Sequence, residues 1–185
     1  MGKKLPTSTK KTKSTTSNVV TSEATASHTP SYVGVHVRRG DLRATSWSFH
    51  KGYVPINNYA QAALETWTRI FPSSSVPSLA VYIASDSPSA DADLKNILPP
   101  NVSILSLSRS ANPELKVLAS PKEYVQNDFN GWGEEERKNA TTGMIVDFAM
   151  VSGMWAWKDE LIPEATVCTI GCVLCIISTF RLCGS

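Results

Sequence analysis

The sequence predicts an α/β fold built on a parallel, doubly wound sheet. From Tyr32 onward, short apolar segments of strand length alternate with longer amphipathic ones, the order expected of strand–helix–strand units. Leu79–Ala84 is apolar without alternation, as befits a strand covered on both faces. A length of 185 residues with 42% hydrophobic content suits one domain and a tail.

Residues 1–31 form the tail. They hold five lysines (Lys3, Lys4, Lys10, Lys11, Lys13) against Glu23, are dense in Ser and Thr, and have almost no large apolar side chains. Such a segment buries too little surface to offset its ordering entropy, so disorder is expected. It also lacks the apolar stretch of about 7–15 residues that a signal peptide needs. The rest of the chain carries 13 basic and 15 acidic residues, a balance that argues against nucleic acid as the main partner.

Tyr32–Val37 reads as the first strand, with Val33, Val35 and Val37 on one face. Asn58–Phe71 follows as a helix with Ala62, Ala63, Trp67, Ile70 and Phe71 on one side, stopped by Pro72. After a loop at Ser73–Ser78 comes the strand Leu79–Ala84. Ser87-Pro88 opens a short helix, since Pro fits the first helical position and Asp91 and Asp93 suit the positive end of the dipole. Val102–Leu107 is a third strand, Gln126–Lys138 a polar loop, Thr142–Trp157 a helix and Thr166–Ile170 a fourth strand. The domain is therefore expected over 32–170, followed by a divergent apolar tail over 171–185. The run Ala165–Phe180 is shorter than the ~20 residues that span a bilayer, so no transmembrane segment is expected in it.

The cysteines (Cys168, Cys172, Cys175, Cys183) all fall late. Cys172 and Cys175 form a C-x-x-C, but the setting is apolar and the histidines (His28, His36, His50) are remote. Buried free thiols are expected rather than a metal site.

In parallel α/β sheets ligands bind at the C-terminal ends of the strands. The first strand ends in His36-Val37-Arg38-Arg39-Gly40-Asp41. If the pleat breaks at Gly40, both arginines can turn to one crevice, where a planar guanidinium fork matches a diphosphate. The plainer alternative is an exposed basic pair with Asp41 as its salt-bridge partner. The tripeptide Arg39-Gly40-Asp41 is too short, and wrongly set at a strand end, to be read as a cell-adhesion motif. Asp147 stands alone among apolar residues, on one helical face with Met144 and Val151. A carboxylate there is costly without a partner. It either pairs with a buried arginine or accepts the two adjacent N–H donors of a guanine edge. Asp86 ends the second strand; it either faces the ligand or caps the helix that begins at Pro88.

Taken in order, Gly34-Val35-His36-Val37-Arg38-Arg39-Gly40-Asp41, Phe49-His50, Pro55-Ile56-Asn57-Asn58-Tyr59, Tyr82-Ile83-Ala84-Ser85-Asp86, Ile145-Val146-Asp147-Phe148 and Val167-Cys168-Thr169 resemble blocks of the α1,6-fucosyltransferase and protein O-fucosyltransferase superfamily. The flavour is closest to its fungal members, and the resemblance spans roughly three quarters of the chain. It implies the donor-binding, Rossmann-like half of a GT-B glycosyltransferase. Its donor would be GDP-fucose, its acceptor a glycan or protein hydroxyl, and no metal would be needed. It implies that His36 and Asp147 hold the guanine, with Asp86 also on the donor side. Arg38 would bind the β-phosphate and stabilise departing GDP, with Arg39 and Asp41 supporting that geometry. Thr169 would begin a phosphate-binding turn.

The sequence departs from the family in places. The turn continues as Ile170-Gly171-Cys172 where serines are usual, and Leu42 and Ser46 stand where the α1,6-type enzymes have Lys and Glu. An acceptor-side half is not recognised in the sequence, so no catalytic base is named, and a partial or inactive form is expected. A non-catalytic relative is one rival reading; an α/β interaction module presenting the arginines to an acidic protein surface is another. Asn101-Val102-Ser103 and Asn139-Ala140-Thr141 match glycosylation sequons and accord with the secretory lumen that the resemblance suggests.

Overall fold

The computed structural model describes residues 31–40, 53–72, 78–154 and 161–168. The tail up to residue 30 and the segment 171–185 lie outside these. Four strands, β1 (Tyr32–Val37), β2 (Ala80–Ser85), β3 (Ser103–Leu105) and β4 (Pro163–Cys168), form one sheet in the order β3-β2-β1-β4. Every pairing is parallel. The helices are α1 (Ile56–Ile70), α2 (Pro88–Ile97), α3 (Pro113–Lys116), α4 (Gln126–Phe129) and α5 (Glu134–Ser152). The fold is thus the α/β arrangement that the alternation predicts.

Strand alternation sorts the core into two layers. Val33, Val35 and Val37 of β1 and Val81 and Ile83 of β2 pack with Tyr59, Ala63 and Trp67 of α1 and Ala90 and Leu94 of α2. On the opposite face Tyr32, Tyr82 and Ala84 lie against Val151 of α5, with Met150 beside them. Gly34 is the close-approach point of that second layer. A Cβ there would meet the Val151 carbonyl oxygen at 3.1 Å and its Cα at 3.2 Å, so a side chain would push α5 off the sheet.

α1 and β2 shift by one or two residues from the sequence reading, and four boundaries differ more. Gln126–Lys138, expected as a polar loop, contains α4 and the start of α5. Glu134, Glu135 and Glu136 fill the first turn of α5, where negative charge suits the dipole; high polarity there marks a solvated helix rather than a loop. At its other end α5 stops at Ser152 instead of running to Trp157. Gly153 takes the left-handed conformation (φ 62°), and its N–H donates to the Ala149 carbonyl at 2.8 Å. β3 is shorter than expected. Asp91 of α2 accepts from the hydroxyl of Ser108 and from Nε of Arg109, both at 2.8 Å, and holds the chain in a 3-10 turn over Leu107–Arg109. β4 begins at Pro163, three residues before the expected start, while Thr169 and Ile170 lie outside the described residues. Cys168, expected as a free thiol, is disulfide-bonded.

Candidate functional site

The strand order locates the site. From β1 the chain moves outward through α1 and α2 to β2 and β3, then returns past β1 to β4 by way of α5, on the other face. The direction of winding therefore reverses between β1 and β4, and the crevice outside the carboxyl ends of those strands is where such sheets bind ligands. β1 delivers His36-Val37-Arg38-Arg39-Gly40 to it. Asp41 and Thr169 lie outside the described residues.

His36 is the last β1 residue on the α5 side, paired in register with Ala84 and Cys168. Burial, and secondarily the positive charge of Arg38, push its imidazole down to about 4. At neutral pH it is an uncharged ring with one N–H donor and one acceptor nitrogen.

Asp147 is level with His36. From the Gly34–Val151 contact, Asp147 lies four residues back along α5 and His36 two residues on along β1. At ~1.5 Å per helical and ~3.3 Å per strand residue, each is displaced by about 6 Å toward the carboxyl ends of the strands. The partner of Asp147 is one that sequence reasoning missed. The Tyr82 hydroxyl donates to its Oδ1 at 2.7 Å. Among the described residues no arginine is found on it; its hydrogen bond is to a tyrosine rather than to a buried arginine. Burial raises the carboxyl to about 7 despite the opposing effect of that hydrogen bond. Tyr32 braces the same helix from β1, donating to the Met150 carbonyl at 2.6 Å and meeting the Tyr82 ring edge-on at 6.3 Å.

One helical turn further, Met144 shares that face and yet is 64% exposed, whereas Val151 is fully buried. The gradient arises because α5, at 19 residues, outruns the six-residue strands beneath it. Its inner face passes from core at Val151, through the partly buried Asp147, to solvent at Met144. An apolar residue at a core-phase position gives no sequence signal of exposure, so the exposure of Met144 was not legible.

The two arginines do not converge. Strand alternation continues past Val37, leaving Arg38 exposed on the His36 side while Arg39 turns toward α2. There Arg39 Nη1 meets Asp93 Oδ2 at 2.7 Å and the Ser89 hydroxyl at 3.2 Å. The expectation that both guanidinium groups share one crevice is corrected accordingly: β1 ends extended, so neighbouring side chains keep opposite directions.

Asp86 neither caps α2 nor faces open space. Ser87 is the N-cap, and it makes no side-chain capping bond. The Asp86 carboxylate instead accepts the backbone N–H of Arg39 at 2.7 Å and also that of Gly40, fastening the end of β1 to the end of β2. Its carboxyl is raised by burial, with those N–H groups and the Arg38 charge opposing. Its own carbonyl accepts from Tyr124 N–H at 2.9 Å. Gly40 is wedged into this junction. A Cβ would fall 2.3 Å from the Tyr124 carbonyl oxygen and 2.8 Å from Asp86 Oδ2.

No protein-family model and no curated protein matches this chain. Among the described residues no three His, Cys, Asp or Glu side chains gather as a metal-ligand group, and no helix is long and apolar enough to cross a membrane. The α5 side of the sheet carries, toward the carboxyl ends of its strands, a neutral imidazole, a partly buried carboxyl and an exposed guanidinium, residue types suited to a flat heterocycle carrying an anionic group.

Proposed function

We propose that the chain is the GDP-sugar-binding module of a fucosyltransferase-like protein, the donor half of a GT-B arrangement. What supports this reading is the placement of His36, Arg38 and Asp147 on the α5 side of the sheet, toward the carboxyl ends of the strands beside the switch point. In it, Asp147 accepts hydrogen bonds from the guanine N1–H and N2–H, and His36 completes the base contact. Arg38 grips the β-phosphate of GDP-fucose. Arg39 and Asp86 act through the backbone: the first anchors the turn to α2, the second clamps it to β2. Asp41 and Thr169 keep the supporting roles that the resemblance implies.

In the whole protein's reaction, a glycan or protein hydroxyl oxygen attacks the anomeric carbon of fucose. The carbon–oxygen bond to the β-phosphate breaks, and GDP leaves with the electron pair. Charge builds on the phosphate oxygen, and Arg38 meets it there with charge-assisted hydrogen bonds. The interaction-module reading needs two arginines presented together, and the Arg39–Asp93 pair works against it.

The test is calorimetric titration of GDP into the full chain and its Arg38→Ala variant. Loss of a charge-assisted contact weakens binding by about 2 kcal/mol. Unchanged affinity in a folded variant removes Arg38 from the site.

A further inference from the structure

The geometry points to Tyr82 as a positioning residue that orients the carboxylate of Asp147 for reading the base edge. This rests on the proposed guanine site and deepens it. Tyr82 is buried, and its hydroxyl reaches from β2 across to α5 to hold Asp147 Oδ1 at 2.7 Å. Among the described residues the hydrogen bond to Asp147 falls on Oδ1, and the side chain is only partly buried. One oxygen is therefore held by the fold before any ligand arrives. A free carboxylate rotates about its last bond; one held through Oδ1 has its plane set before a ligand arrives, which lowers the ordering cost of binding. Each carboxylate oxygen accepts more than one hydrogen bond, so Oδ1 can serve Tyr82 and one N–H of the base while Oδ2 takes the other.

The same bond favours the ionised form of Asp147, which is the form that can accept two N–H donors. Among the described residues, the following groups face Asp147. β2 contributes Tyr82, whose phenol is raised far above its usual range, chiefly by burial. β1 contributes Tyr32, pushed up to about 12, His36, lowered to about 4, and at its end the guanidinium of Arg38. β4 contributes the Thr166 hydroxyl, which donates to the Val151 carbonyl, and Cys168, which is disulfide-bonded and does not titrate. Among these described groups, Asp147 is the one whose charge changes between about pH 5.5 and 9.

The experiment is calorimetric titration of GDP and IDP across that pH range into the full chain and into Tyr82→Phe, Asp147→Asn and the double variant. IDP lacks the exocyclic amine. Tyr82→Phe removes one oxygen and keeps the ring that packs in the core. Its affinity for GDP should lose ground chiefly at acid pH. Losing a bond to the charged form moves the acid limb up by about one pH unit, a fall of about tenfold at pH 6.5 and much less at pH 9. Its preference for GDP over IDP should shrink, and in the Asp147→Asn background Tyr82→Phe should change nothing. Global incorporation of 3-fluorotyrosine, a stronger donor, should move the limb the other way, and it tests the point even if Tyr82→Phe does not fold. A wild-type pH profile in both altered proteins, or an equal loss in the Asp147→Asn background, overturns the proposal while leaving the nucleotide site standing. Absence of GDP binding to the wild-type chain overturns both together.

Discussion

Replacing Asp147 by Asn should make the protein more stable at alkaline pH and, at the same time, worse at recognising guanine. In an unfolded chain an aspartate loses its proton near pH ~3.9, whereas burial holds the folded Asp147 carboxyl at about 7. Between those values the folded state binds the extra proton, so the stability associated with this group is full below about pH 4 and falls as pH rises through 7. Three units correspond to about 4 kcal/mol lost once Asp147 is ionised. Solvent reaches part of the side chain, and screening trims this to the order of 1–3 kcal/mol. Asn keeps the shape and can still accept from the Tyr82 hydroxyl, but it has no charge to desolvate. Urea unfolding of both proteins at pH 5 and pH 8 measures the difference. The variant's advantage should grow by about 1–3 kcal/mol between the two pH values. A variant less stable than wild type at pH 8 would refute the reasoning, because the carboxylate would then be a stabilising partner rather than a group held ionised at a cost. GDP titration of the same samples should show its preference over ADP reduced, since an amide offers only one acceptor oxygen to two N–H donors.

Arg38→Lys should recover little of the affinity lost in Arg38→Ala, because an ammonium cannot reproduce the guanidinium fork; full rescue by Lys, in calorimetry, would reduce Arg38 to a point charge. Gly40→Ala should destabilise the fold by about 1–3 kcal/mol, because its methyl would meet the Tyr124 carbonyl oxygen at 2.3 Å. A melting temperature equal to wild type would show that the junction of β1, β2 and the Tyr124 segment yields easily.

The sheet was legible because its signals are local. Val33, Val35 and Val37 alternate, Leu79–Ala84 is apolar throughout, and Pro88 and Pro72 bracket helices. The extent of α5 was not legible: three glutamates look like a loop when polarity is the guide, and Gly153 ends a helix only through a backbone angle. At the site, residue types gave the candidates, and pairing decided what they touch. Arg38 and Arg39 are indistinguishable in sequence until Asp93, 54 residues later, takes one of them. Asp86 reads equally well as a cap or a ligand contact until the N–H groups of Arg39 and Gly40 are found on it. Tyr82 sits in an apolar strand and reads as core; only the crossing of β2 beneath α5 brings its hydroxyl to Asp147. Contacts between residues distant in sequence carry no local pattern, so they appear only with the fold.

The central claim is that the β1–β4 crevice is a guanine-nucleotide site, and a paired calorimetric titration of GDP and ADP into the full chain at pH 8, where Asp147 is ionised, tests it most directly. The account predicts that GDP binds at least about tenfold more tightly than ADP, the discrimination expected of a site whose paired hydrogen bonds one base satisfies and the other does not. Equal affinity for the two, or no heat from either, would contradict it.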